Sequence, residues 1–170
     1  MNTSTPDILV VGGAGYIGSH VVKALRDAGR QPVVFDNLST GLRENLFPEI
    51  PFIHGDLLIP EQVRAAMRGI RSVIHLAALK AAGDSMLEPE RYALHNLNGT
   101  VNLLHAAGTA GVRHFVFSSS AAVYGEPQYL PLDENHPTEP ANFYGQTKLQ
   151  IEMLLSWFSR LRKMRYAGLR

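Results

Sequence analysis

Tyr144 and Lys148 stand four residues apart in the run Tyr144-Gly145-Gln146-Thr147-Lys148, at the head of a stretch with helical spacing through Ile151, Leu154, Leu155 and Phe158. On a helix that separation puts both side chains on one face. A phenol is a weak acid, and a neighbouring ammonium favours its phenolate. Such a phenolate is a base suited to a sugar or alcohol hydroxyl. Upstream, Ser118-Ser119-Ser120 closes an apolar run and offers a hydroxyl to the same oxygen. Taken alone, a Tyr/Lys pair at this spacing reads as well as an ordinary surface pair.

The opposite end of the chain weighs against that ordinary reading. Gly12, Gly15 and Gly18 are spaced G-x-x-G-x-x-G after the apolar run Ile8-Leu9-Val10-Val11. Behind them Ile17, Val21, Val22, Leu25 and Ala28 recur at helical spacing. A strand, a glycine turn and a helix in this order suit a pyrophosphate. The turn needs residues without Cβ, and the helix N-terminus supplies free N–H donors. The alternative is a plain strand-to-helix turn. Asp36 ends the next strand, Pro32 to Phe35, and its carboxylate can accept bonds from both hydroxyls of an adenosine ribose. It would repel a 2′-phosphate, which favours NAD over NADP. The competing reading is a strand-end acid that starts a turn, here the polar loop Asn37 to Gly41.

These groups need a scaffold, and strand and helix signals alternate along the chain. Phe52 to His54 reads as a third strand, closed by Gly55-Asp56-Leu57. Asp56 could bond an adenine amino group or cap the helix expected near Pro60, stopped by Gly69. Ser72 to Leu76 is a fourth strand, running into small residues from Ala77 to Ser85 that leave room for a ligand. A long helix is expected from about Pro89 to Ala110. Gly99 inside it costs about 1 kcal/mol against Ala, so close packing is expected there. Arg113 to Phe117 is a fifth strand, and Tyr166 to Arg170 looks like a sixth. The pattern predicts an α/β, Rossmann-like, doubly wound parallel sheet.

Composition narrows the class. The chain has 170 residues, 45% of them hydrophobic, a formal net charge of +1 and no cysteine. Balanced charge gives no sign of a nucleic-acid or membrane-surface partner. Without cysteine, neither disulfide nor thiolate chemistry is available. The seven histidines lack metal-ligand spacing, so no metal is expected. The stretch Met1 to Asp7 is polar, without a signal-peptide core, and no apolar run reaches the length of a membrane span. A soluble, cytoplasmic protein is the expectation.

The stretches Gly12 to His20, Asp36-Asn37-Leu38, Gly55-Asp56, His75 to Ala81, Asn96 to Thr100, Ser118 to Gly125, and Tyr144 with Lys148 resemble, in order, the extended short-chain dehydrogenase/reductases. Within them they resemble the NAD-dependent sugar-nucleotide 4-epimerases. The glycine and Tyr-x-x-x-Lys motifs are specific only to the superfamily; Leu79-Lys80-Ala81 and the serine run are narrower. Related 4,6-dehydratases carry an Asp-Glu pair where this chain has Ala121 and Ala122, which argues against dehydration.

The resemblance implies Tyr144 as base for the 4-hydroxyl of a UDP-sugar such as UDP-glucose or UDP-galactose. Lys148 would tune that base and bond the nicotinamide ribose, and Ser120 would bond the reacting oxygen. It also implies a cofactor surface of Gly12, Gly15, Tyr16, Ile17, Gly18, Asp36, Asn37, Asp56, Leu57, Leu76, Ala77, Ala78, Lys80, Asn96, Ser118, Tyr144 and Lys148, with NAD retained through a 4-keto intermediate. A homodimer through the two long helices is implied too, with Leu97, Val101, Leu104, Met153 and Trp157 as apolar candidates. Family members run far longer and build most of the sugar-nucleotide pocket from a C-terminal half. The expectation is therefore that residues 1–170 form the NAD-binding domain, with the substrate domain absent. Two functional classes stay open: such an epimerase, or a non-catalytic NAD-binding module derived from one. A simple alcohol dehydrogenase leaves Lys80 and the Ser118 to Gly125 run unexplained.

Overall fold

A computed structural model describes residues 6–170. Most of the polar stretch Met1 to Asp7 falls on residues 1–5 and so lies outside the described residues. Six parallel strands form one sheet in the order β3-β2-β1-β4-β5-β6. They are β1 (Ile8–Val11), β2 (Pro32–Asp36), β3 (Phe52–His54), β4 (Ser72–His75), β5 (His114–Ser118) and β6 (Arg165–Leu169). All four residues of β1 are buried, as a strand covered on both faces requires. In register, Ile8 lies between Pro32 of β2 and Ser72 of β4. The chain order reverses between β1 and β4, where ligands of doubly wound sheets sit at the C-terminal strand ends. The fold is the Rossmann-like sheet that the sequence pattern predicts.

Two apolar layers hold it. On one face Leu9, Phe35, Val73, Phe115 and Phe117 pack against α2 (Pro60–Ala66), α5 (Gly99–Ala110) and α6 (Phe143–Arg162), through Val63, Leu103, Leu104, Ile151 and Leu155. On the other, Ile8, Val10 and Val34 meet Val22 of α1 (Tyr16–Asp27), with Val21 and Leu25 beside it. Among the described residues, no helix is long and apolar enough to cross a membrane.

Several details depart from the sequence pattern. Ile17 carries the helical period but is 60% exposed, in the first turn of α1. The small-residue stretch after β4 is not all loop: Ala82–Leu87 forms α3. It has no side-chain cap, so nothing local announces it; Ser85 N–H and the Tyr92 hydroxyl both donate to Ala81 O instead. The long helix begins as α4 (Pro89–Tyr92), widens into a π-helical turn over Ala93–Asn98, and resumes as α5. Gly99 has its packing reason: a Cβ there would lie 3.1 Å from Leu57 Cβ. Leu104 is fully buried against the sheet and so unavailable to a dimer surface, whereas Val101, Met153 and Trp157 are exposed.

Candidate active site

The glycine turn is shaped by backbone crowding. Gly12 has φ +82°, which favours glycine, and a Cβ there would lie 2.6 Å from Ala77 N. At Gly18 a Cβ would lie 2.0 Å from Gly12 O. These two glycines let β1, α1 and the end of β4 touch. Gly15 differs: a Cβ there would meet only Gly12 O, at 3.4 Å. Its backbone is extended, it precedes α1, and no side chain caps the first turn, which holds no acid. Tyr16 and Ile17 there are exposed. The protein's own packing does not account for a bare Cα at Gly15, and an anion approaching the helix N-terminus does. The residues therefore fit a dinucleotide phosphate.

Asp36 lies at the mouth of this turn, almost fully buried. Its carboxylate accepts from the N–H of Ala14 at 3.0 Å and of Leu38 at 2.8 Å, so it braces the turn and starts the loop after β2. Both readings of this acid thus coexist in geometry, since each oxygen retains a further lone pair. Asp56 accepts from Leu58 N–H and from Asn37 Nδ2. It does not cap α2, which Ile59 precedes without a side-chain cap. The pair Asn37–Asp56 joins the ends of β2 and β3. Leu57 is a buttress, with its carbonyl accepting from Asn102 Nδ2.

After β4, Leu76 N–H donates to Val11 O. Ala77 abuts the glycine turn, and Lys80 is exposed. Asn96 is buried and fully engaged with protein. Its Oδ1 accepts from Leu79 N–H, and its Nδ2 donates to Leu79 O and to Thr147 Oγ1. Thr100 Oγ1 in turn donates to Asn96 O and takes a bond from His75 Nε2. These ties hold the π-helical turn open, and π-turns recur at functional sites. His75 is buried; burial first, and the Lys148 charge second, push its pKa down to about 3, so it is neutral.

The Tyr144 end is the most tightly organised. Asn142 Oδ1 accepts from Gly145 N–H, Ser85 Oγ from Tyr144 N–H, and Met86 Sδ from Phe143 N–H. Gly145 packs so closely on the turn after Ser120 that a Cβ there would lie 2.5 Å from Ala122 O. Lys148 is only 3% exposed. Its Nζ donates to Ser118 O at 2.8 Å and lies 5.8 Å from the Tyr144 ring centroid. Burial pulls its pKa down to about 8. Ser120 Oγ accepts from Ala122 N–H, leaving its own proton to donate. Tyr144, Lys148 and the serine run thus meet at one strand end, as their spacing predicts. Ser85, Met86, Asn142 and Gly145, which fix Tyr144, carry no chemical motif; only Asn142, as a cap type before a helix, was readable.

Residues 8–170 match the NAD dependent epimerase/dehydratase family. A UDP-glucose 4-epimerase of Streptomyces lividans is 44% identical over 151 residues, covering 87% of this chain and 46% of the relative. One of Mus musculus is 44% identical over 164 residues, covering 87% and 47%. Among solved structures, UDP-glucose 4-epimerase from Brucella ovis in complex with NAD superposes with a TM-score of 0.94 at 40% identity, covering 98% of this chain and 51% of that one. The Thermotoga maritima enzyme with UDP-glucose gives a TM-score of 0.93 at 37% identity, covering 96% and 54%. The chain spans about half the length of the curated relatives it matches.

Proposed function

This chain belongs to the NAD dependent epimerase/dehydratase family, and from that premise we propose that it carries the NAD site and catalytic base of a UDP-sugar 4-epimerase. The observation that carries the reading is the bond from Lys148 Nζ to Ser118 O at the end of β5, which sets the Tyr144 ring 5.8 Å from that amine, with Ser120 two residues beyond Ser118 in the chain. The open N–H groups at Tyr16 and Ile17 take the pyrophosphate, while the Gly15 N–H closes the turn on Gly12 O. Asp36 takes the adenosine ribose and disfavours a 2′-phosphate. NAD, when bound, would supply the acceptor and later the source of a hydride at sugar C4. Tyr144 removes and restores the proton of the 4-hydroxyl, with Ser120 donating to that oxygen. Lys148 lends positive charge beside the phenol. Lys80, exposed after β4, would contact the cofactor near the pyrophosphate or ribose, while Asn96 shapes the loop that carries it. Ala121 and Ala122 supply no acid for dehydration.

The exposed side chains Val101, Met153 and Trp157 on α5 and α6 support a homodimer through those helices. A chain without cysteine suits the cytoplasm. The second reading is an NAD-binding module without turnover. One experiment separates the two. NAD binding is measured by calorimetry, and the reduced-nicotinamide absorbance is then followed after UDP-galactose is added. Binding with an absorbance change, or with product, supports the epimerase. Binding with neither supports the module, and no binding refutes both.

A further inference from the structure

We propose that Glu152 is a positioning residue for Ser120, holding the segment Ser119 to Tyr124 by both ends against the helix that carries Tyr144 and Lys148. This rests on the reading of Tyr144, Lys148 and Ser120 as the catalytic set. Tyr144, Lys148 and Glu152 follow one another at intervals of four, so they share a face of α6. The serine strand end meets that face in register. Lys148 Nζ donates to Ser118 O, and the buried Ser119 hydroxyl donates to Glu152 Oε1. Glu152 Oε2 accepts from Arg170 Nη2 at 2.6 Å, in an ion pair in which the Glu152 side chain is 14% and the Arg170 side chain 26% exposed. Arg170 Nη1 then donates to the Tyr124 hydroxyl at 3.3 Å, and its guanidinium lies 5.1 Å from that ring. One carboxylate thus grips residue 119 directly and residue 124 through Arg170. Ser120 lies between, with its Oγ committed on one side to Ala122 N–H. Arg170 also supplies the countercharge that a largely buried carboxylate requires.

The test reads Lys148, whose amine shares the same strand end. Its titration is followed by NMR of ε-labelled lysine in wild type, Ser119→Ala and Glu152→Gln. Wild type titrates near 8 because it is buried. Releasing the segment admits water, so both variants titrate higher, by about half a unit or more towards the ordinary lysine value. Loss of the Glu152 negative charge alone would move the midpoint down, so the sign separates positioning from charge. With UDP-galactose, kcat falls about tenfold and KM stays within about twofold, as misplacement of a reacting group predicts. An unchanged or lowered midpoint in Ser119→Ala overturns the proposal, as does a raised midpoint with kcat unchanged. Should Glu152→Gln fail to fold, Ser119→Ala removes the same bond by deleting one oxygen. If wild type neither binds NAD nor turns over, the catalytic reading fails, while the Lys148 midpoint still decides whether Glu152 holds the segment.

Discussion

Two helices start at the C-terminal edge of this sheet, and their first turns are built in opposite ways. At α1 the N-terminus is bare: Gly15 precedes it, no side chain caps it, and Tyr16 and Ile17 stand in the open. At α6 the donors are taken. Asn142, Ser85 and Met86 accept from Gly145, Tyr144 and Phe143, and Gln146 N–H reaches Asn142 O. A helix N-terminus has orphan donors and a positive dipole end, which can be left for a ligand or spent on the protein. The α1 end is left open, as a seat for phosphate requires. The α6 end is spent, which fixes the backbone of Tyr144.

Breaking the α6 side should abolish chemistry and spare binding. Tyr144→Phe is expected to lower turnover roughly 10²- to 10⁴-fold, the range of general acid–base catalysis, with the NAD affinity from calorimetry unchanged. Loss of NAD binding in this variant would show that the phenol holds the cofactor.

Breaking the α1 side should do the reverse. Gly18→Ala drives a methyl group to 2.0 Å from Gly12 O, so the turn must open. A loss of about 3 kcal/mol or more is expected in a urea melt, with NAD binding gone. A variant as stable as wild type would remove the packing argument at this glycine.

Lys148 sharpens the comparison, because its burial works against stability. Its folded pKa of about 8 lies below the ordinary value of 10.5. Between those values the unfolded chain binds more protons, so stability rises with pH across that window, by ~3 kcal/mol in all. Below pH 8 the charged, buried amine exerts its full destabilising effect. Lys148→Met should therefore be more stable than wild type at pH 7 and lose most of the rise above pH 8, while turnover collapses. A less stable variant at pH 7 would mean that the bond to Ser118 O outweighs desolvation.

The smallest effect belongs to Asp36→Ala. Loss of its charge should narrow the preference for NAD over NADP by about tenfold, or 1–2 kcal/mol. Removal of its bonds to Ala14 and Leu38 weakens both cofactors alike. Equal affinities in wild type would take Asp36 out of cofactor selection.

The glycine turn, the strands and the Tyr/Lys spacing were legible because each is local: apolar runs, bare Cα positions and a helical interval lie within a few residues. What holds them was not. Ser85 meets Tyr144 across 59 residues and Asn96 meets Thr147 across 51; no periodicity encodes such pairs. The short helix α3 lacks a cap and exists through its contacts with Ala81 and α6. Asn96 reads as a polar residue for a ligand, yet its carboxamide is spent on Leu79 and Thr147.

The contrast between the two helix starts meets its most direct test in a thermal melt of Gly15→Asp with and without NAD. A Cβ has room at Gly15, whose backbone is already extended, and Asp is among the favoured N-cap residues, worth a few tenths of a kcal/mol over Gly. The variant is predicted to melt no lower than wild type without NAD, because its carboxylate caps α1. Added NAD should raise the melting temperature of wild type and leave the variant unmoved, since the new charge occupies the seat of the phosphate. A Gly15→Asp protein that NAD stabilises as much as wild type would contradict the account.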